Sequence, residues 1–179
     1  MKKIIALILS LACLFAFFGC EEPVPPEDHI KADMTFEFEE LSITLTEAFK
    51  VIEKKKDSIW YESESKQISV SIDATEIPTV KEVPIDFETY VTSFFEVSPY
   101  TPKEEIKYEN GVYFAECEVR AFGFNSLYYI SFYESETTYY VAYFMCELDD
   151  YETYKPYIVR WAESVTVTPK EVEQSAEIE

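Results

Sequence analysis

The stretch that decides how this chain folds is IKYENGVYFAECEV, residues 106–119. Asn110-Gly111 separates two segments rich in Tyr, Phe and Val, and both turn residues tolerate a positive φ angle. The dipeptide therefore predicts a type I′ turn, which joins two antiparallel strands directly. A β-hairpin is the unit from which the rest of the fold can be built outward.

Two further strands are predicted on the C-terminal side of this hairpin. Residues 127–134 and 138–148 are long and rich in Tyr, Phe and Val, and they are joined near residues 135–137. Their apolar residues do not alternate cleanly with polar ones, which indicates that part of the sheet is covered on both faces. The sequence thus predicts an antiparallel meander.

Four strands are predicted on the N-terminal side. Apolar and polar residues alternate in MTFEFE (34–39) and LSITLT (41–46), and again in SIWYES (58–63) and QISVSIDA (67–74). This two-residue period is typical of half-buried strands, and residues 64–66 provide the turn of a hairpin between the last two.

The period changes in two places, where helices are predicted. From Phe87 to Phe95 the apolar residues fall on one helical face, with Asp86 as the N-cap and prolines at 99 and 102 behind it. A second apolar stripe runs from Tyr154 to Val165. Because proline is unfavourable inside a helix, Pro156 places the predicted start of this helix near Lys155, with residues 149–154 as a preceding turn. Residues 165–168 are a candidate short edge segment.

This order of elements indicates an α+β fold. With LSITLT at 41–46, NGVYF at 110–114, and YETYKPYI at 151–158 running into WAESV at 161–165, the chain resembles the Mog1/PsbP-like family over most of residues 34–167. One departure is Glu47, where many such domains have a proline. The resemblance implies an antiparallel β-sheet with helices packed on its faces, an α/β/α sandwich.

The resemblance also implies a non-enzymatic role as an accessory or adaptor subunit. Bacterial members are often lipoproteins without assigned activity, while other relatives assist photosystem assembly or bind a small GTPase. Neither partner can be transferred to this chain, because none of those relatives' functional residues matches a motif in it.

The N-terminus has the layout of a secretory signal peptide. Lys2 and Lys3 precede an uncharged apolar run that is shorter than the roughly 20 residues of a membrane-spanning helix. The segment Phe17-Phe18-Gly19-Cys20 resembles the lipobox of bacterial lipoproteins, in which Cys20 receives lipid and becomes the new N-terminus. Cys13 is a competing position, and a non-lipidated signal peptide or an uncleaved anchor are the alternatives.

Four segments follow from this interpretation. Residues 1–19 are the lipoprotein signal peptide, and residues 20–33 are an acidic, proline-rich tether. Residues 34–167 form one α+β domain, and residues 168–179 are predicted to be a disordered acidic tail. The expected location is the extracytoplasmic face of the cell membrane, with lipid as the membrane contact.

The charge of the chain argues against nucleic acid as a partner. Loss of residues 1–19 removes two lysines and no acid, leaving 13 Lys and Arg against 35 Asp and Glu, a formal charge of −22. Binding to phosphates requires clustered cations, and the longest run is Lys54-Lys55-Lys56. The same negative charge repels anionic lipid headgroups.

The sequence offers little for catalysis or metal binding. The single histidine, His29, lies in the tether, so a fixed general base is not expected there. Cys117 and Cys146 lie in strands that a meander separates by a third, so two buried free thiols are predicted rather than a disulfide. No cofactor, zinc or other metal site is predicted.

Three groups of residues have both a chemical and a structural interpretation. Glu116 and Glu118, near Arg120, suit a glycosidase pair or the polar side of a strand. The acids Asp149, Asp150 and Glu152 suit calcium or the start of a helix. The tyrosines suit a sugar-binding or protein-binding patch, or the cover of a core: Tyr128, Tyr129, Tyr139, Tyr140, Tyr143, Tyr151, Tyr154 and Tyr157.

The sequence therefore leads to two main hypotheses for function, besides a purely structural spacer role that would need no concave or aromatic surface. The first is a membrane-anchored, non-enzymatic binding or accessory module at the cell envelope, whose partner is an envelope protein or an extracellular ligand. The second is a carboxylate-based hydrolase of envelope sugars.

Overall fold

A computed structural model of the chain describes residues 31–80, 82–121 and 123–168. The signal segment, Cys13, Cys20, His29, most of the tether and the tail from residue 169 lie outside the described residues. Among the residues described, none of the helices combines the length and the apolar character needed to cross a membrane.

The described residues form twelve strands and two α-helices. The helices are α1 (Phe87–Val97) and α2 (Tyr151–Glu163), and a 3₁₀ turn at Leu148–Asp150 precedes α2. The strands are β1 (Asp33–Phe38), β2 (Leu41–Thr46), β3 (Phe49–Lys54), β4 (Ser58–Ser63), β5 (Ile68–Glu76), β6 (Thr79–Val80), β7 (Val83–Pro84), β8 (Lys107–Glu109), β9 (Val112–Ala121), β10 (Phe124–Glu134), β11 (Thr138–Glu147) and β12 (Thr166–Val167).

A seven-stranded antiparallel sheet forms the centre of the domain, in the order β3-β4-β5-β11-β10-β9-β8. The hairpin at Asn110-Gly111 is confirmed, because the two residues have φ angles of 53° and 84° and Glu109 pairs with Val112. The predicted hairpins of β4 with β5 and of β10 with β11 are also present. A second sheet, in the order β1-β2-β12, contains the first predicted strand pair and the predicted short edge segment.

Both faces of the large sheet are covered, as the continuous apolar strands predict. On one face, α2 and the small sheet bury a core around Tyr61, Phe144 and Trp161. On the other face, α1 buries a smaller core around Val91 and Phe132. The predicted α+β class with helices on both faces of an antiparallel sheet is therefore confirmed.

Helix α1 begins where the sequence predicts. The Asp86 side chain accepts a hydrogen bond of 2.9 Å from the Thr89 backbone amide, and the hydroxyl of Thr89 donates another of 2.7 Å. These hydrogen bonds lower the pKa of Asp86, because they favour its charged form. The helix ends at Val97, before Pro99.

The predicted start of α2 near Lys155 is wrong by one turn. The helix begins at Tyr151 and contains Pro156. Tyr151 and Tyr154 are both buried, and they continue the apolar stripe of Ile158 and Trp161 toward the N-terminus of the helix. Burial of these two aromatic rings offsets the backbone hydrogen bond that proline removes.

Cys117 and Cys146 are free and buried, as predicted. Cys117 belongs to the core beneath α1 and Cys146 to the core beneath α2, so they lie on opposite faces of the sheet with β10 between their strands. Burial raises the pKa of each thiol to about 12. Neither thiol is therefore expected to react while the domain is folded.

Alkylation of the full-length chain tests this arrangement. We expect iodoacetamide to leave Cys117 and Cys146 unmodified under native conditions, because both thiols are buried and protonated. After unfolding in guanidinium without reductant, both should be alkylated, which peptide mass spectrometry would show. Two unmodified cysteines after unfolding without reductant, but not with it, would contradict the free-thiol assignment.

Strand β3 was not predicted, and it forms one edge of the large sheet. Only Phe49 in it is buried, and the register against β4 shifts between Val51 and Glu53, as in a β-bulge. Lys50 and Lys54 are exposed on this edge. A strand with one buried residue and a bulge does not show the two-residue period that marks the other strands.

Candidate functional site

A groove of about 640 Å³ lies where the β8–β9 hairpin meets the beginning of α1 and the end of α2. We call this feature the end groove. Its size is in the range of cavities that hold ligands in proteins. The residues that line it come from distant parts of the chain: Phe87, Glu88, Tyr108, Asn110, Gly111, Val112, Tyr113, Tyr133, Glu134, Glu163, Val165 and Val167.

Aromatic rings form one wall of the end groove. Tyr108 and Tyr113 are paired across the hairpin, and their ring centroids are 4.5 Å apart. Tyr113 also meets Phe87 of α1 edge-on, with 5.6 Å between the centroids. Tyr108 remains 61% exposed, while the ring of Tyr113, itself in contact with Phe87, supports it from behind. An exposed ring on a supported aromatic wall is a surface on which a ligand can stack.

The hairpin tip is attached to the end of α2. The Asn110 side-chain amide donates a hydrogen bond of 2.8 Å to the Glu163 carboxylate. At the base of the groove, the hydroxyl of the buried Tyr133 donates a hydrogen bond of 2.8 Å to the backbone carbonyl of Ala162. These contacts join the hairpin and β10 to the same helix end, so the groove has a preformed shape.

Three carboxylates face the end groove without a cationic partner among the described residues: Glu88, Glu134 and Glu163. The contact of Glu163 with Asn110 is to a neutral amide and leaves its charge in place. Other carboxylates of the domain are ion-paired, such as Glu116 with Lys155 at 2.8 Å and Glu64 with Lys50 at 2.9 Å. The end groove is thus a site of uncompensated negative charge.

The ionisation of Tyr113 reflects this charge. Desolvation raises its pKa, and the negative charges of Glu88 and Glu134 raise it further. Desolvation and the charge of Glu134 act in the same direction on Tyr139, which lies behind Phe87. Glu88 and Glu134 are thus close enough to the Tyr113 hydroxyl to disfavour its ionised form.

Two other cavities differ in their chemistry. A cavity of about 210 Å³ between α2 and β9 shares Glu163 with the end groove, but two lysines line it as well, and one of them, Lys155, pairs with Glu116. A cavity of about 580 Å³ near Tyr140 contains Lys56 and lacks a cluster of aromatic rings. The end groove combines several rings with unpaired carboxylates, so we take it as the candidate functional site.

The two carboxylates considered as a glycosidase pair are both engaged by cations. Glu116 binds Lys155 of α2 at 2.8 Å, and Glu118 forms an ion pair with Arg120. Both glutamates lie on the face of β9 toward α2, at its partly exposed rim. Their arrangement fits a structural role at the rim of the sheet better than a pair of carboxylates facing one substrate.

The acids at the start of α2 also have a structural position. Asp149 and Asp150 lie in the 3₁₀ turn, and Glu152 lies in the first turn of the helix, where negative charge is favourable. Among the described residues, no group of three or more acids, cysteines or histidines has the geometry of a metal site.

The tyrosines considered as a possible patch are distributed over both faces of the large sheet. Tyr129, Tyr140 and Tyr154 are buried with α2, whereas Tyr139 is buried beside Tyr90 of α1. Tyr151 is also buried with α2. The remaining three are partly buried: Tyr128, Tyr143 and Tyr157. Of the two interpretations, the structure supports the one in which these tyrosines cover the cores, because they do not share one exposed face.

Sequence reasoning missed the residues of the end groove. A signal for two of them was present, because an Asn-Gly turn places Tyr108 opposite Tyr113 on one face of the hairpin. No local pattern connects that pair with Glu134 or Glu163. Cys20, the predicted lipidation site, lies outside the described residues, as does His29.

Comparison with solved structures shows the same fold in several proteins, among them the following two. One is a variant of the protein Mog1, with a TM-score of 0.57 and 8% identity over 78% of this chain and 97% of that chain. The other is cyanobacterial PsbP (CyanoP) from Synechocystis sp. PCC 6803, with a TM-score of 0.58 and 14% identity over 83% and 98%. No protein-family profile and no curated protein matches the sequence. At these identities the likeness is one of fold.

Proposed function

We propose that this chain is an extracytoplasmic lipoprotein that acts as a non-enzymatic binding module at the cell envelope. In this proposal, lipid on Cys20 holds it at the membrane, and the acidic tether carries the Mog1/PsbP-like domain away from the bilayer. Its partner is an envelope protein, and the end groove is the surface that binds it.

The observation that carries the binding role is the composition of the end groove. Exposed Tyr108 stands on a supported aromatic wall, and Glu134 and Glu163 face the same space without a cation to neutralise them. Exposed aromatic rings in a concave surface, with charged groups around them, are typical of recognition surfaces. The anchoring role is supported by the apolar N-terminal segment that ends at Gly19-Cys20.

Site-specific photocrosslinking in the cell tests the binding role. We expect p-benzoylphenylalanine in place of Tyr108 to give a discrete crosslinked adduct in the membrane fraction, because this side chain is exposed at the groove. The matched control is the same amino acid at Val97, which is 86% exposed at the end of α1 and does not line the groove.

The two positions separate specific from general contact. An adduct formed from position 108 and absent from position 97 supports a partner at the end groove. The same set of adducts from both positions, or none from position 108, contradicts the proposed binding surface. If the substitution Glu134→Gln also abolished the adduct from position 108, the groove carboxylates would contribute to binding of the partner.

A further inference from the structure

We infer that the end groove recognises an extended polypeptide segment through an arginine side chain. The inference rests on the proposed function and adds the chemistry of the partner. The guanidinium would stack on the ring of Tyr108 and pair with the groove carboxylates, while neighbouring apolar side chains of the segment contact the valines of the groove.

Charge is the first argument for a cationic ligand. Glu88, Glu134 and Glu163 come from three different elements and face one space that no lysine or arginine of the described residues lines. A ligand that supplies positive charge there removes the repulsion among these groups. The formal charge of −20 for the whole chain attracts cations and repels anions at longer range.

The two helix ends at the groove also favour a cationic ligand over an anionic one. The C-terminal end of α2, at Glu163, presents the negative end of the helix dipole, which favours a cation. The positive N-terminal end of α1 is capped by the Asp86 carboxylate, which accepts bonds from Thr89. An anionic ligand would therefore meet an occupied cap at one end and negative charge at the other.

The aromatic wall favours a guanidinium over an ammonium ion. Tyr108 and Tyr113 offer ring faces next to carboxylates, and a planar guanidinium stacks on such faces while its N–H groups reach carboxylate oxygens in pairs. An ammonium ion makes a weaker, less directional contact of this kind. Arginine is the side chain that uses both features.

The apolar part of the groove favours a polypeptide over a small polyamine. Val112, Val165 and Val167 line it together with Phe87, and these surfaces would remain wet beside a ligand composed only of methylenes and amines. In an extended segment, successive side chains point to opposite sides. Arginine that alternates with an apolar residue can therefore meet the aromatic wall on the α1 side of the sheet while the apolar side chains meet the valines on the α2 side.

Peptide binding to the full-length chain in non-ionic detergent tests the inference. The probe is a fluorescein-labelled peptide in which arginine alternates with valine, and the matched peptide has citrulline, which keeps the shape of arginine and removes its charge. We expect the arginine peptide to bind about tenfold or more tightly than the citrulline peptide, since charge-assisted hydrogen bonds are lost in the latter. The lysine version should lie between them, and added salt should weaken binding of the arginine peptide.

Two sets of variants connect the binding to the groove. The triple variant Glu88→Gln, Glu134→Gln, Glu163→Gln should lose the preference for arginine over citrulline. The control is a triple variant with the same change in net charge at positions outside the groove: Glu62→Gln, Glu96→Gln, Glu147→Gln. This control should keep the preference for arginine over citrulline. Tyr108→Ala should weaken binding, whereas Tyr108→Phe should retain it, because stacking requires the ring and not the hydroxyl.

The outcomes are distinguishable from failure of the proposed function. Equal affinity for the arginine and citrulline peptides, with both weakened by Tyr108→Ala, would overturn the arginine inference and leave the groove as a binding site. Spermidine bound as tightly as the arginine peptide would overturn the assignment of a polypeptide. If the groove variant and its control lost the preference for arginine equally, the peptide would be attracted by the overall charge of the chain. That result would also overturn the arginine inference.

Discussion

Replacement of Trp161 by alanine is expected to lower the free energy of unfolding by about 3–5 kcal/mol, the range for removing a large buried aromatic side chain. Trp161 is 1% exposed on α2, and its ring meets Phe49 of β3 edge-on with 5.2 Å between centroids. The indole thus connects the helix to the edge of the large sheet. Because domains of this size have total stabilities of roughly 5–15 kcal/mol, the variant should be largely unfolded in mild denaturant.

Two control variants make the stability prediction specific. Trp60 is the other tryptophan of the chain and is 38% exposed on β4, so Trp60→Ala should lower the free energy of unfolding by clearly less than Trp161→Ala, about 1–2 kcal/mol. The indole Nε1 of Trp161 has no hydrogen-bond partner among the described residues. Trp161→Phe removes this buried donor while leaving a ring, so its cost should be less than half that of alanine.

Urea unfolding followed by far-UV circular dichroism measures all three variants, and it is independent of tryptophan fluorescence. An unfolding midpoint for Trp161→Ala no lower than that for Trp60→Ala would contradict the position of α2 against β3. A larger loss for phenylalanine than for alanine would contradict the assignment of Trp161 to a closely packed core.

Replacement of Cys20 by alanine should abolish lipid attachment completely. On the proposed processing, the wild-type chain in cells has the mass of residues 20–179 plus lipid, and it partitions into the detergent phase. Two acyl chains contribute about 0.8 kcal/mol per buried methylene, and the net negative charge of the domain repels anionic headgroups. The Cys20→Ala chain should have neither the lipid mass nor the cleavage before residue 20.

The competing cysteine provides the matched control for this experiment. Cys13→Ala removes a thiol from the same apolar segment, and intact mass spectrometry should show it lipidated and cleaved like the wild type. Loss of lipid in Cys13→Ala with lipid retained in Cys20→Ala would move the attachment site to Cys13. A full-length, unmodified wild-type chain in the cytosol would contradict the anchoring proposal and the envelope location with it.

Local signals in the sequence located most elements of the fold. The Asn110-Gly111 turn, the alternating strands and the Asp86 cap each depend on neighbouring residues, and each is present in the structure. Strand β3 could not be predicted from alternating apolar residues, because only Phe49 in it is buried. The start of α2 was misplaced because the cost of Pro156 is local, whereas the burial of Tyr151 that offsets it depends on tertiary packing.

The candidate site could not be assembled from the sequence in the same way. Glu88 and Glu163 are 75 positions apart in the chain, and only the packing of α1 and α2 around the β8–β9 hairpin brings them to one groove. Glutamate is common throughout this acidic chain, so no single acid was conspicuous. What distinguishes the three acids of the groove is the lack of a nearby cation among the described residues, which is a property of the folded domain.

The free edge at β3 would have a consequence for copies that the proposed lipid anchor holds side by side. Anchored proteins are crowded in two dimensions, where open strand edges promote self-association. The bulge between Val51 and Glu53 interrupts a matching register, and Lys50 and Lys54 would face like charges on a neighbour. Lateral aggregation through this edge is therefore disfavoured. The end groove lies beside β8, at the opposite edge of the sheet from β3.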